Sequence, residues 1–150
     1  GDNYDLQTSH VLPALIRKFF NAKIKKDDSV TCWGTGIPKR EFLYVEDLAE
    51  ACVFVLENIS SSNKFLYDKN SQYAGIINVG TGFDISIKDL AKLISETIGF
   101  KGEIIWDSSK PDGTPRKILD VSVLNQLGWK AKTNLNDGLK LTLENYIKSL

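Results

Sequence analysis

The sequence has 150 residues, of which 19 are Lys or Arg and 19 are Asp or Glu, so its formal net charge is zero. A chain of this length can bury a real core, and 42% hydrophobic with 10% aromatic residues is typical of a globular protein rather than a disordered one. The balanced charge excludes a general nucleic-acid binder, and no apolar run approaches the roughly 20 residues of a membrane span.

The first part of the chain predicts a helix and then a short strand. Apolar side chains within residues 9–22 recur at helical spacing on one face, namely at Val11, Leu12, Leu15, Ile16 and Phe19. Ser9 can cap this helix, and Pro13 is tolerated because it lies near the first turn. A charged turn is expected at 21–29, and a strand at 30–33 that ends at two glycines.

A second helix is predicted after an extended segment at 40–45. Asp47 is the expected cap of this helix, which runs to Asn58. Its inward positions are expected to be Leu48, Ala51, Cys52, Val55 and Leu56. The polar, aperiodic stretch 60–73 is typical of a surface loop.

The second half of the chain predicts two more strands and three more helices. A buried strand is expected at 76–79 and another at 103–106. Ser86 is the expected cap of a helix to about Ile98, and a short helix is expected at 121–127. The last helix is predicted to begin at Asn136. Its buried face is expected to hold Leu139, Leu143, Tyr146, Ile147 and Leu150.

The alternation of strands with helices indicates an α/β fold. Because the strands are few and short, the sequence predicts a small mixed domain of the kind that binds a substrate, rather than a complete doubly wound sheet.

One segment has the strand, glycine turn and helix order of a dinucleotide-binding motif but lacks part of its glycine pattern. Residues 76–82 end in Gly-Thr-Gly before a helix, but the fingerprint needs a third glycine where this chain has Ile85, so that helix and strand can pack closely. We therefore interpret Gly80 and Gly82 as ordinary turn glycines. The sequence contains no recognisable cofactor-binding half.

The two cysteines predict neither a metal site nor a cluster. Cys32 and Cys52 lie 20 residues apart, which fits no zinc or iron–sulfur pattern. Two buried free thiols are favoured, with a disulfide as the alternative. The sequence contains no Met, which indicates that it is a piece of a longer protein. It shows no basic-then-apolar leader at its start, which favours a cytoplasmic location.

His10 is the candidate for proton transfer, as the only histidine in the sequence. It lies at the predicted start of a helix, where the positive end of the helix dipole disfavours the imidazolium. It is either a solvent-exposed helix-start residue or a general acid that faces a cleft.

Four further residues together suggest an anionic, ring-bearing ligand. Lys18 follows Arg17 on a largely apolar helix, where a cation can reach a phosphate. Trp33 can stack on a base or sugar face, and Arg40, seven residues on, can fork onto a diphosphate. Asp112, on a Pro-Asp-Gly turn among cations, can accept hydrogen bonds from sugar hydroxyls. Three of these residues also have a purely structural alternative. Lys18 can belong to a solvated helix face, Trp33 can be a core ring, and Asp112 can simply favour the turn.

Four segments carry a resemblance to a known family. They are 9–19 with His-Val-Leu-Pro-Ala, 33–43 with Arg-Glu-Phe, 77–82 with Asn-Val-Gly-Thr-Gly, and 109–117 with Lys-Pro-Asp-Gly-Thr-Pro. Over nearly the whole chain they resemble the GDP-L-fucose synthases of the extended short-chain dehydrogenase/reductase family. The first and last segments are specific to these enzymes and close relatives, and the other two are shared among nucleotide-sugar epimerases and dehydratases.

The resemblance implies an activity and roles for the candidate residues. The family converts GDP-4-keto-6-deoxy-D-mannose to GDP-L-fucose by epimerisation at C3 and C5 and NADPH-dependent reduction at C4. It implies that His10 is the epimerisation acid and lies close to the nicotinamide, so that it also contacts the cofactor. It further implies that Lys18, Trp33, Arg40 and Asp112 contact the GDP-sugar.

The resemblance covers only the carboxy-terminal, substrate-binding portion of the family, here residues 1–150. The glycine fingerprint, the Tyr-x-x-x-Lys pair and the catalytic cysteine of the family have no counterpart in this sequence. The resemblance implies a missing amino-terminal Rossmann domain, which binds most of the NADPH and against which residues of about 40–58 pack. It also implies that the full-length protein is a cytoplasmic homodimer. The alternatives are a related GDP-sugar epimerase or reductase that acts on another 4-keto sugar, and a nucleotide-sugar binding module without catalysis.

Overall fold

The computed structural model describes residues 2–68 and 70–150, which form a mixed α/β structure. The chain divides into two compact units. The first takes the chain up to Arg40 together with Ile85–Arg116 and Asn136–Leu150, and the second comprises Glu41–Asp84 and Lys117–Leu135. Each unit is described by itself.

The first unit begins with the predicted helix, here α1 (Val11–Lys25). Ser9 is not its cap: the N-cap residue is His10, which makes no side-chain capping bond. The helix also runs through most of the expected charged turn and ends at Lys26, whose φ of 59° is left-handed. Lysines in its last turn are favourable there because they lie at the negative end of the helix dipole.

Two strands and a second helix complete the core of this unit. Strands β1 (Ser29–Trp33) and β4 (Glu103–Asp107) pair in parallel, from Ser29 opposite Glu103 to Trp33 opposite Asp107. Helix α3 (Ile87–Ile98) begins as predicted, because the Ser86 hydroxyl accepts the Asp89 N–H. The fully buried core side chains come from α1 and α3 and include Ile16, Phe19, Leu90 and Ile94.

The last helix, α5 (Leu135–Lys148), packs through Tyr146. The Tyr146 ring lies 4.3 Å from that of Tyr4 and 5.5 Å from that of Phe20, centroid to centroid. Leu139 and Tyr146 are buried as predicted and Leu143 is half-buried, whereas Ile147 is exposed and so is Leu150, which lies beyond the end of the helix.

A second, three-stranded sheet consists of β2 (Lys39–Glu41), β3 (Asp84–Ser86) and β5 (Arg116–Lys117), in the order β3-β2-β5. Only β2 falls within a predicted extended segment. The other two are two or three residues long and carry no apolar alternation, which is the signal that a strand prediction needs.

The second unit is built around α2 (Val45–Asn58) and the short α4 (Ser122–Gln126). Ala51, Leu124 and Trp129 form its buried centre. Asp47 is not the cap of α2, as the N-cap residue is Tyr44. Instead the buried Asp47 carboxylate accepts the N–H groups of Lys132 and Thr133 and the Thr133 hydroxyl, at 2.8 to 3.1 Å.

Two further expectations for this unit are wrong, one in part and one as a whole. Of the predicted inward positions of α2, Ala51 is buried and Val55 is half-buried against the centre of the unit. Leu48, Cys52 and Leu56 are exposed, because no described element of this unit covers them. Residues 76–79 form no strand, and Ile76 is 71% exposed. A strand needs a neighbour to bond its backbone, and within the described residues of the unit this segment has none.

Both cysteines are free, but only one is buried. Burial raises the pKa of the Cys32 thiol, whereas the Cys52 side chain lies exposed on α2. The expected surface loop at 60–73 contains one 3₁₀ turn (Lys64–Leu66) and a bridge between Tyr67 and Tyr73.

Candidate functional site

The candidate site is centred on the turn that follows β1 in the first unit. Trp33 ends the strand, and its side chain is 63% exposed, so it is not the core ring that was the structural alternative. Gly34 has a φ of +77°, and a Cβ there would overlap a carboxylate oxygen of Asp112. The turn therefore requires glycine for its backbone conformation and for the close approach of Asp112.

Two ammonium groups lie beside the Trp33 ring. Lys18 Nζ is 5.4 Å from the ring centroid and Lys110 Nζ is 5.9 Å from it, both within the range of a cation–π contact. Lys18 also donates to the Thr31 carbonyl at 3.2 Å, which fixes its ammonium next to the strand. Arg17, by contrast, is used internally, since it donates to the Tyr4 carbonyl at 2.9 Å.

Asp112 is bound to the same turn. Thr35 donates its N–H to Asp112 Oδ1 and its hydroxyl to Oδ2, each at 2.7 Å. The Thr35 hydroxyl, the Thr35 N–H and the Gly36 N–H all stabilise the charged form, so they hold the pKa of Asp112 below its usual range. The carboxylate is thus ionised at neutral pH and committed to this turn.

Arg40 lies close to the residue after Asp112. A Cβ built on Gly113 would be 3.9 Å from the Arg40 guanidinium. Arg40 also donates to the Lys39 carbonyl at 2.7 Å, and several of its N–H groups stay available for an anion. The first unit therefore contains all four candidates, namely Lys18, Trp33, Arg40 and Asp112. Lys18 lies beside the Trp33 ring, and Arg40 lies beside Gly113, the residue after Asp112.

His10 stands apart from these four residues. Its side chain is exposed at the start of α1, and eight residues separate it from Lys18 along the same helix, an axial rise of about 12 Å. Among the described residues no hydrogen bond or ring contact joins it to the other four. The arrangement separates the one histidine from the aromatic ring and the cations that lie near it.

Glu41 is the residue that sequence reasoning missed. In the second unit its carboxylate accepts the N–H groups of Thr81 and Gly82, the latter at 2.6 Å, the Thr81 hydroxyl at 3.1 Å, and the Leu119 N–H at 2.8 Å. The Gly-Thr-Gly turn that imitates a phosphate-binding loop thus binds an anion from its own chain. The consecutive N–H donors of the Gly-Thr-Gly turn around Thr81 indicate from the sequence that an anion could bind there. The sequence does not show which carboxylate of the chain they bind.

The part of the chain that the structure describes contains neither a metal-binding cluster nor a membrane-spanning helix. No group of three or more His, Cys, Asp or Glu residues could hold a metal ion there. No described helix is both long and apolar enough to cross a bilayer. A groove of ≈ 310 Å³ at the ends of α1 and α3 is lined by lysines and aspartates of mixed sign, and none of the five candidate residues lines it.

Comparison with known proteins gives consistent matches along the chain. A GDP-L-fucose synthase 1 of Arabidopsis thaliana is 46% identical over 152 residues, which cover 100% of this chain and 43% of that protein. A GDP-L-fucose synthase of Escherichia coli K12 is 42% identical over 99% of this chain and 45% of its own length. The chain thus spans less than half the length of these curated relatives.

Solved structures support the same fold. A GDP-6-OMe-4-keto-L-xylo-heptose reductase from C. jejuni superposes with a TM-score of 0.87 and 34% identity, over 99% of this chain and 50% of that one. The sequence profile of the NAD dependent epimerase/dehydratase family matches residues 1–80, more than half of the chain. The chain belongs to the NAD dependent epimerase/dehydratase family.

Proposed function

We propose that this chain is the carboxy-terminal, substrate-binding portion of a GDP-L-fucose synthase, and that the full-length protein is a cytoplasmic homodimer. The observation that carries the proposal is the exposed Trp33 ring with Lys18 and Lys110 beside it, in the same unit as Arg40. An aromatic face with adjacent cations suits a nucleoside diphosphate, which combines a planar base with two phosphates. The relatives named GDP-L-fucose synthase match along almost all of this chain.

The residues of this chain do not fit a dinucleotide cofactor by themselves. The N–H groups of the Gly-Thr-Gly turn, which would be the natural phosphate donors, are bonded to Glu41. We therefore assign NADPH mainly to a Rossmann domain outside this sequence, with His10 as the contact from this side. A GDP-mannoheptose C4 reductase from Campylobacter jejuni, 34% identical to this chain, has been solved with NADP bound.

Within this scheme the candidate residues divide binding from proton transfer. Trp33 stacks on the base or sugar face, and Lys18 and Arg40 neutralise the diphosphate. The 4-ketone of the substrate acidifies the C3 and C5 hydrogens, so that one group removes a proton and another returns one to the opposite face of the enolate. His10 is the group that returns it, since an imidazole ring can carry a proton and donate it to a carbon that faces it.

The proposal is tested with the full-length protein, GDP-4-keto-6-deoxy-D-mannose and NADPH. We expect NADPH oxidation and formation of GDP-L-fucose, and neither with residues 1–150 alone. Ketone reduction by residues 1–150 alone contradicts the proposal. Turnover only of a GDP-4-keto-heptose supports the second candidate, which the similarity to the C. jejuni heptose reductase favours. Specific GDP binding without turnover of either sugar identifies a binding module.

The exposed face of α2 is proposed as the surface that packs on the Rossmann domain. Apolar side chains recur on it at helical spacing, at Val45, Leu48, Ala49, Cys52, Val53 and Leu56. Leu56 is 84% exposed and Val45 68% exposed. A continuous apolar stripe is unfavourable in water, and the relatives are more than twice as long as this chain, so a further domain is available to cover it.

Thiol labelling of the native full-length protein tests this packing. If α2 is covered, Cys52 is expected to react with a thiol reagent as slowly as the buried Cys32, and only after local opening. Peptide mapping by mass spectrometry separates the two cysteines, and the denatured protein supplies the rate of an exposed thiol. Reaction of Cys52 at that exposed rate in the native protein contradicts the proposed docking.

A further inference from the structure

The Thr35–Asp112 clamp, meaning the two hydrogen bonds between these residues, joins the turn after β1 to the turn after β4. Both carboxylate oxygens of Asp112 take part, one with the Thr35 N–H and one with its hydroxyl. The Gly34 N–H, which donates to the Asp107 carbonyl at 2.9 Å, joins the start of the first turn to the end of β4. The clamp adds a second link further along both turns, at Thr35 and Asp112.

The hydroxyl of Thr35 has a defined orientation in the clamp. It accepts the N–H of Ile37 at 3.2 Å, so its single proton is directed to Asp112. Serine can reproduce both bonds of the hydroxyl, the one to Asp112 Oδ2 and the one from the Ile37 N–H. Valine has the shape of threonine but loses both of them, and keeps only the backbone N–H bond to Asp112 Oδ1.

The clamp lies between two cations, Lys110 of the 110–113 turn and Arg40 of β2. Lys110 precedes Asp112 by two residues, and its ammonium lies beside Trp33. Gly113, the residue after Asp112, adjoins the Arg40 guanidinium. The Lys110 N–H donates to the Asp107 carbonyl at 3.2 Å, which holds the start of this turn. Loss of the Thr35 hydroxyl bond would loosen the turn on the Asp112 side of Lys110 while leaving Lys18 on its helix.

We propose that Thr35 is a positioning residue for ligand binding: it holds Asp112, and thereby keeps Lys110 beside Trp33 as a second cation for the diphosphate of a nucleotide sugar. This inference rests on the proposed function, and it assigns Lys110 a binding role and Thr35 an indirect one. The depressed pKa of Asp112 supports it, because the carboxylate stays ionised and bonded across the neutral range.

The test compares Thr35→Val, Thr35→Ser and the control Thr97→Val in the full-length protein. Thr97 makes only a bond within its own helix, to the Leu93 carbonyl, so its loss leaves the site unchanged. For Thr35→Val we expect KM for the GDP-sugar and Kd for GDP to rise about tenfold with kcat nearly unchanged. Thr35→Ser is expected to restore both constants. Unchanged KM and Kd in Thr35→Val, or no rescue by serine, overturns the proposal.

Lys110→Gln shows whether the effect passes through this cation. Alone it is expected to raise Kd for GDP about tenfold, and combined with Thr35→Val to add little more, because both changes remove the same interaction. Multiplication of the two single effects in the double variant overturns the indirect role of Thr35. Thr35→Ala serves the same comparison if the valine variant does not fold.

Failure of this inference is distinguishable from failure of the proposed function. Wild-type protein that binds GDP but turns over no 4-keto sugar contradicts the proposed activity, and the Kd series then decides the clamp by itself. Wild-type protein that neither turns over a GDP-sugar nor binds GDP overturns both.

Discussion

Replacement of His10 by Asn in the full-length protein is expected to lower the rate of proton exchange at C3 and C5 by roughly 10²–10⁴, the usual contribution of a positioned acid or base. Asparagine keeps a polar side chain of similar size but cannot deliver a proton at neutral pH. Binding of GDP is expected to stay the same, because His10 lies about 12 Å along α1 from Lys18, the nearest of the proposed GDP contacts on that helix. Exchange is measured as deuterium uptake into the keto sugar, and binding by calorimetry.

Lys18→Gln supplies the reciprocal variant for this experiment. Loss of its ammonium removes one cation from beside Trp33 and is expected to weaken GDP binding about tenfold, with exchange at saturating substrate nearly intact. The two variants therefore separate binding from proton transfer. Undiminished exchange in His10→Asn removes His10 from the mechanism, whatever its effect on reduction.

The candidate site was largely accessible to sequence reasoning, because its residues occupy positions where the backbone changes direction. Trp33 precedes two glycines and Asp112 lies on a Pro-Asp-Gly turn, and the structure brings both to one place. What the sequence does not carry is the partner of each side chain. The expectation that Asp112 faces a sugar hydroxyl did not anticipate that Thr35 already binds both of its oxygens.

The fold was predictable wherever the residues at the two ends of an element themselves determine where it begins and ends. Helix α3 carries its own cap at Ser86 and its own stop at Gly99, so both ends agree with the sequence. In segment 76–79, Ile77 and Val79 pack against the centre formed by Ala51, Leu124 and Trp129 without forming a strand. Helix α2 carries an apolar stripe that the described residues of its unit leave exposed. Periodicity reports that a side chain is apolar, and it cannot report which element covers it.

The largest effect on stability is expected from Glu41, whose single carboxylate receives four hydrogen bonds from residues 81, 82 and 119. Three of these come from backbone N–H groups, so the carboxylate holds residues 81, 82 and 119 together through their main chain. Glu41→Gln removes the charge and turns an amide NH₂ toward one or more of these donors. We expect the free energy of unfolding of the full-length protein to fall by roughly 2–4 kcal/mol.

Glu144→Gln is the matched control, because Glu144 is an exposed residue of α5 and its substitution is expected to change stability by no more than about 0.5 kcal/mol. Both variants are compared with wild type by urea unfolding, followed by far-ultraviolet circular dichroism. A midpoint of Glu41→Gln equal to that of Glu144→Gln would falsify the assignment. It would mean that the Gly-Thr-Gly turn holds its shape without an internal anion, and that its N–H groups are free to bind an external one. The same measurement therefore also tests why this turn is not a phosphate-binding loop: its donors are already bonded within the chain.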